Sequence, residues 1–209
     1  MIANSLFHRF HRRYVSTTDS EHDLPKATNL LNRRFNEFDI NQARHGDITY
    51  IPTAGDWLYL VSAIDLGTRR LVGYEFCERM SKQLVLNALK RAYNNERLSP
   101  GSIFYSDQGE TYTSPMYRDT AESYNLVLSY SRKGNCYDSA CMQNFYGHLK
   151  SETIYQLPIT QRYCLRRKEV KKIINDYIIW YNNERIQAKL NYLSPVDFCL
   201  KNYQGTVAI

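Results

Sequence analysis

Residues 47–76 read DITYIPTAGDWLYLVSAIDLGTRRLVGYEF. Three short β-rich runs, DITYI, WLYLVSAI at 57–64 and RRLVGYEF at 69–76, are separated by Pro52-Thr53-Ala54-Gly55 and by Asp65-Leu66-Gly67-Thr68. Apolar runs of that length between turn formers predict three consecutive strands. Working outward, Ser81 can cap a helix carrying Leu84, Val85, Ala88, Leu89, Ala92 and Tyr93 on one face. SIFY at 102–105 predicts a fourth strand that runs straight into Ser106-Asp107-Gln108-Gly109. Ser114-Pro115 starts a helix to about Ser123, and Leu126–Tyr130 forms a fifth strand. After the polar loop SRKGNC, Asp138 can cap a helix whose Met142, Phe145 and Leu149 repeat at helical spacing. Gln143 then lies on the other flank, sharing its face with Gly147 and Lys150. Val170, Ile173, Ile174, Tyr177, Ile178 and Tyr181 mark a last long helix, and Ser194-Pro195 one more short one. Strands alternating with helices in this way predict an α/β layer architecture, a mixed five-stranded sheet flanked by helices.

The 209 residues suffice for one sizeable domain with short appendages. Residues 1–45 read as a basic N-terminal arm, 46–160 as the core domain, and 161–209 as a C-terminal helical extension packed on that core. The net charge of +6 favours an acidic partner such as nucleic acid. No run approaches the roughly 20 apolar residues of a membrane span, and Arg and His interrupt the N-terminus too often for a signal peptide. The expected setting is soluble and cytoplasmic, with no membrane. Five cysteines without CxxC spacing argue for reduced core thiols, and no cysteine pair completes a zinc site with His8 and His11.

Asp47 is expected to open the first strand and Asp107 to follow the fourth. If those strands are neighbours, the two carboxylates converge at one edge of the sheet. Clustered oxygen donors suit Mg²⁺, which binds through a few carboxylates together with substrate phosphates. From spacing alone, an aspartate at a strand start or in an Asp-Gln-Gly turn is more often a cap or a turn former.

The blocks DITYIPT, WLYLVSAIDLGTRRLVGYEF, YSDQGETYTS, SRKGNCYDSACMQNFYGHLKSE and YNNERIQAKLNYLSPVDF, in that order, cover roughly residues 20–200. They resemble the OrfB catalytic half of the integrase-type (DDE) transposases of bacterial insertion sequences. The resemblance implies a ribonuclease-H-like, retroviral-integrase-like core. It also implies a catalytic triad with Mg²⁺ or Mn²⁺, and cleavage at the element ends followed by joining of the 3′-OH to target DNA. It implies a multimer on DNA and a separate OrfA-type DNA-binding protein as partners. By position, Asp47 and Asp107 match the first two acids and the metal ligands.

The family's third acid is a glutamate with 35 residues between it and the second aspartate, and here that position is Gln143. An amide oxygen can approach a metal but carries no charge, so weaker metal binding and lost strand transfer are expected. Glu152 lies nine residues further on, on the opposite helix face, and is a poor substitute. Ala43-Arg44-His45-Gly46 replaces a tryptophan-containing stretch of the family, and Ser139 stands where Asn is common. Only HRRYVSTTDSEHDLP precedes the core where relatives carry a helix-turn-helix region. The expectation is a transposase by descent whose copy is decayed or truncated. The alternative is a non-catalytic DNA-binding or oligomerising remnant, and a structure-specific nuclease of the same fold is a third reading.

Lys150, Arg132 and Lys133 are the candidate contacts to DNA phosphates, against a role as solvated surface charge. Asn135 and Asp138 are expected to order their loop and cap the helix. Positive charge at Arg166-Arg167-Lys168 and Lys171-Lys172 opposes the dipole of the last long helix, which hints at an anionic partner. Tyr112, Tyr137 and Tyr181 are candidates for base stacking, although most of the 18 tyrosines are expected in the core or at its rim.

Overall fold

The structure is a computed structural model that describes residues 27–202 except 97 and 134. The first 26 positions of the expected arm, with His8 and His11, lie outside the described residues, as do 203–209. Strands β1 (Ala43–Pro52), β2 (Trp57–Asp65) and β3 (Leu71–Cys77) lead into helix α1 (Lys82–Asn95) and strand β4 (Ile103–Ser106). Helices α2 (Glu110–Thr113) and α3 (Pro115–Ser123) precede strand β5 (Val127–Tyr130). Helices α4 (Ala140–Glu152), α5 (Ile159–Arg162), α6 (Arg167–Asn183) and α7 (Pro195–Asn202) follow.

The sheet order is β3-β2-β1-β4-β5. The first three strands pair antiparallel, whereas β1–β4 and β4–β5 are parallel. The fold is therefore the expected mixed five-stranded sheet flanked by helices. Alternation along β2 divides the core in two. Val61 and Ala63 pack with α1 and α3, while Leu58, Leu60 and Ile64 pack with Met142, Phe145 and Leu149 of α4 and with Val170, Ile174 and Ile178 of α6. Ser81 caps α1 as expected, its hydroxyl accepting from the Leu84 N–H at 3.3 Å. Gly73 lets α1 approach the sheet, since a Cβ there would lie 2.6 Å from the Ala92 nitrogen. Among the described residues no helix is long and apolar enough to cross a membrane.

Three sequence expectations need correction. First, β1 begins at Ala43, so Asp47 sits inside the strand and does not open it. Arg44 and His45 break the apolar pattern yet are fully buried. Arg44 donates to the Ala92 and Glu96 carbonyls at the C-terminal end of α1, and His45 packs between Phe35 and Tyr105. Burial of polar side chains through such partners leaves no periodic signal.

Second, Asp138 does not cap α4, whose N-cap is Ser139 without a side-chain hydrogen bond. Asp138 is fully buried and accepts from Arg33 Nε at 3.0 Å and from Arg132 Nε and Nη2 at 2.9 and 2.8 Å. Its part in ordering the 131–139 loop is borne out. Third, the described cysteines Cys77, Cys141, Cys164 and Cys199 are unpaired, but Cys164 is exposed and the other three are only half-buried.

Candidate active site

In the β1–β4 register His45 pairs with Tyr105, and Asp47 and Asp107 each stand two residues beyond that pair. The two carboxylates converge because their strands are parallel neighbours, which meets the condition the sequence reading had left open. Gly46 is the residue that permits the approach at this point: a Cβ there would lie 2.8 Å from Cε1 of the Phe104 ring on β4. Asp47 shares its strand face with Ile51, which packs with α4, so its side chain is on the α4 side. Asp107 keeps one oxygen in a turn, accepting from the Gly109 N–H at 2.9 Å. The turn-forming role considered for Asp107 therefore holds alongside its place in the site.

Helix α4 supplies the opposite wall. Gln143, Gly147 and Lys150 line a cleft of about 530 Å³ together with Asp47, Asp107, Tyr50, Tyr146 and Tyr155. Gln143, Lys150 and the two aspartates are thus brought together. Gln143 is exposed on the cleft wall, while Lys150 is half-buried with its ammonium 5.2 Å from the centre of the Tyr50 ring. The Tyr146 hydroxyl donates to the Asp47 carbonyl at 2.5 Å. Sequence reasoning missed Tyr146, although its i+3 spacing from Gln143 places it near the same wall.

Burial, and then the negative charge of Asp107, push the Asp47 carboxyl up to about 8, opposed by the Ile48 N–H and by Lys150. Burial lowers the Lys150 ammonium, and Asp47 opposes that shift. A buried carboxyl raised by its own burial and by a neighbouring carboxylate forms a site whose charge is relieved by a cation. Among the described residues no three of His, Cys, Asp and Glu gather closely enough to hold a metal, so no third carboxylate completes the pair. Glu152 is held elsewhere, by Arg185 at 2.6 Å and by the Tyr177 hydroxyl at 2.9 Å.

The remaining candidates divide. Arg132 and Lys133 are exposed but do not line the cleft, and the Arg132 guanidinium is engaged by Asp138. Arg167 pairs with Glu78 at 3.0 Å, Lys172 with Asp176 at 2.6 Å, and the Arg166 guanidinium with Glu169 at 3.4 Å. That set of contacts answers much of the positive charge at the start of α6 from within the chain. Tyr112 and Tyr181 are buried, which removes them as stacking platforms, while Tyr137 is exposed beside Arg33.

Known proteins resemble this chain. Integrase core domain models match residues 39–136 and, separately, residues 143–202. An insertion element IS600 protein of 31 kDa from Shigella sonnei is 40% identical over 194 residues, covering 92% of this chain and 70% of that protein. The chain belongs to the integrase core family. The transposase for insertion sequence element IS904 of Lactococcus lactis is 39% identical to this integrase core chain over 170 residues, covering 81% of the chain and 66% of the transposase. Transposase InsF for insertion sequence IS3A of Escherichia coli is 35% identical over 191 residues, covering 91% and 65%. The integrase core chain thus spans about two thirds of the length of these relatives. Among solved structures, the HTLV-2 integrase catalytic core domain in complex with magnesium superimposes with a TM-score of 0.60 at 12% identity, covering 77% of this chain and 97% of that one. A chain from the structure of the simian T-cell lymphotropic virus intasome in complex with PP2A regulatory subunit B56 gamma gives 0.61 at 15% identity, covering 82% and 57%. At such identities the likeness establishes the fold, the ribonuclease-H-like core.

Proposed function

We propose that this integrase core chain is the catalytic part of an insertion-sequence transposase, a DDE-type DNA strand transferase that cuts element ends and joins the 3′-OH to target DNA. The observation that carries the reading is the convergence of Asp47 and Asp107 from neighbouring parallel strands into a cleft walled by Gln143 and Lys150.

The donors are all oxygen, and the two carboxylates already repel one another, so the site fits Mg²⁺ or Mn²⁺. Asp47 and Asp107 would hold the metal, with the Gln143 amide oxygen as a neutral third donor. When bound, the ion supplies Lewis acidity at the scissile phosphate. Lys150 sets a positive charge against the backbone phosphates, at the same cleft wall as the Gln143 amide. Tyr146 fixes the carbonyl next to the Asp47 side chain and so holds the spacing of α4 from β1. With Gln143 in the place of a glutamate, the site carries two negative charges where the family pattern has three, and a lowered metal affinity follows.

On this reading the partners are element-end and target DNA, further copies of the chain assembled on that DNA, and an OrfA-type protein that reads the ends. The work is done in the cytoplasm. Arg132 acts on DNA only through the order it gives its loop, and Lys133 is a peripheral phosphate contact.

Calorimetric titration of Mn²⁺ into the native chain and into Asp47→Asn tests the reading. The native chain is expected to bind and Asp47→Asn to lose the heat of binding. Equal binding by the two chains overturns the metal-site reading, and binding by neither favours the non-catalytic remnant.

A further inference from the structure

A second cavity, of about 510 Å³, opens on the other flank of α4 from the metal-site cleft. Cys141, Asn144 and His148 line it from α4, and Arg69, Arg185 and Lys189 bring positive charge from the β2–β3 turn and from the segment after α6. Its volume is that of a small-molecule site.

The charges in it are unevenly answered. One carboxylate, Glu152, serves both Arg185 at 2.6 Å and His148 at 3.1 Å. Arg69 is only 8% exposed, and among the described residues every group its guanidinium reaches is neutral: Cys141 Sγ at 2.7 Å, the Phe35 carbonyl at 2.9 Å and Asn36 Oδ1 at 2.6 Å. The Lys189 ammonium donates to that same Asn36 oxygen. Among the described residues no carboxylate lies within ion-pair distance of Arg69 or Lys189. Two cations therefore converge on one uncharged acceptor, and Arg69 is buried in doing so. A buried charge without a counter-charge is expensive, and the expense falls when an anion enters.

We propose that this cavity is an anion site for a phosphate group, held by Arg69 and Lys189. The N–H donors of the guanidinium that those contacts leave over, beside a mobile ammonium, suit the tetrahedral oxygens of phosphate. Asn144 adds an amide donor and acceptor at the wall. The phosphate can be carried by a DNA strand or by a free phosphate or mononucleotide, since the recognising chemistry is the same. The site shares no lining residue with the Asp47–Asp107 cleft, so it stands or falls separately from the metal chemistry.

Lys189→Glu provides the test, because Lys189 is exposed and tolerates replacement, and a glutamate there would supply Arg69 with the missing carboxylate. Melting temperatures are measured for the full chain in inorganic phosphate and in chloride of matched ionic strength. Phosphate is expected to raise the native melting temperature by about 2–5 °C, a shift of the size ligand linkage gives. Lys189→Glu is expected to melt higher than the native chain in chloride and to show no phosphate response. A phosphate response that is absent in the native chain, or equal in the two chains, overturns the proposal. Binding of deoxythymidine monophosphate and of a single-stranded octathymidylate, followed by fluorescence anisotropy and competition, then separates the sources. Octathymidylate affinity that exceeds the mononucleotide's at least tenfold and is lost in Lys189→Glu assigns the site to a DNA strand. Equal affinities lost in that variant assign it to the free anion, and affinities unaffected by the variant overturn it. Mn²⁺ binding by Lys189→Glu, unchanged from the native chain, keeps this result distinct from failure of the metal site.

Discussion

The Tyr146 hydroxyl donates to the main-chain carbonyl of Asp47 at 2.5 Å, which ties the helix that carries Gln143 directly to the strand that carries the first aspartate. The spacing between β1 and α4 at the cleft is therefore set by a hydrogen bond as well as by packing. Tyr146→Phe removes the hydroxyl and leaves a buried carbonyl without that donor, at a cost of about 1–2 kcal/mol in urea denaturation. Because the tie is at the aspartate proposed to hold the metal, Mn²⁺ affinity is expected to fall several-fold as well. A stability loss with unchanged Mn²⁺ affinity would show that Tyr146 only holds the fold.

Gln143→Glu restores a negative charge to the cleft beside Asp47 and Asp107. Calorimetry is expected to show tighter Mn²⁺ binding than in the native chain, with two ions bound in place of one, because a third carboxylate offsets the repulsion between two divalent ions. In the absence of metal the added carboxylate should lower stability by about 1 kcal/mol through like-charge repulsion at intermediate dielectric. If the variant binds metal no better than the native chain, the pocket has departed from the family pattern at more than this residue.

Lys150 and Arg132 were both candidate phosphate contacts, and the structure separates what their loss should do. Lys150 lines the cleft, whereas Arg132 is engaged by the buried Asp138. Lys150→Met is expected to weaken binding to duplex DNA and to reduce the slope of log affinity against log salt by about 1. Arg132→Met should act chiefly on stability and leave that slope nearly unchanged. Equal slope changes in the two variants would return Arg132 to the list of direct contacts.

The five strands were legible along the chain because strand-and-turn texture marks β1 to β5, and the position of Asp107 just after β4 follows from that texture, whereas the order β3-β2-β1-β4-β5 that makes Asp47 and Asp107 neighbours came only with the structure. The third position was legible only through the family resemblance, since nothing in the spacing distinguishes Gln143 from any other residue on that face. What escaped were buried polar groups satisfied by distant partners. Arg44 and His45 read as the end of a basic arm and are instead the buried start of β1. Asp138 read as a cap because aspartate before an apolar-periodic run usually is one. Its carboxylate turns to Arg33, 105 residues away in sequence, and no local pattern reports that contact. Arg69 likewise sits in a turn where arginine is ordinarily solvated, and its burial depends on Phe35, Asn36 and Cys141 meeting only in the folded chain.

Asp138 makes the clearest prediction about pH. Hydrogen bonds from Arg132, and then from Arg33, hold its carboxyl well below the usual carboxylate range, against the opposing effect of burial. A carboxyl with a depressed folded-state value stabilises the fold above its unfolded value of about 3.9 and loses that contribution as pH falls toward the folded value. Asp138→Asn keeps the shape but not the charge, and should cost about 2 kcal/mol at pH 7, the scale of hydrogen bonds to a buried charged group. The gap between native and variant, read from urea denaturation at pH 7, 4 and 2.5, should hold down to about pH 4 and narrow below it. A gap that is constant across this range would mean that the Asp138 contacts stabilise by shape and hydrogen bonding alone, and that Arg33 and Arg132 contribute no charge to holding the 131–139 loop against the segment that carries Arg33.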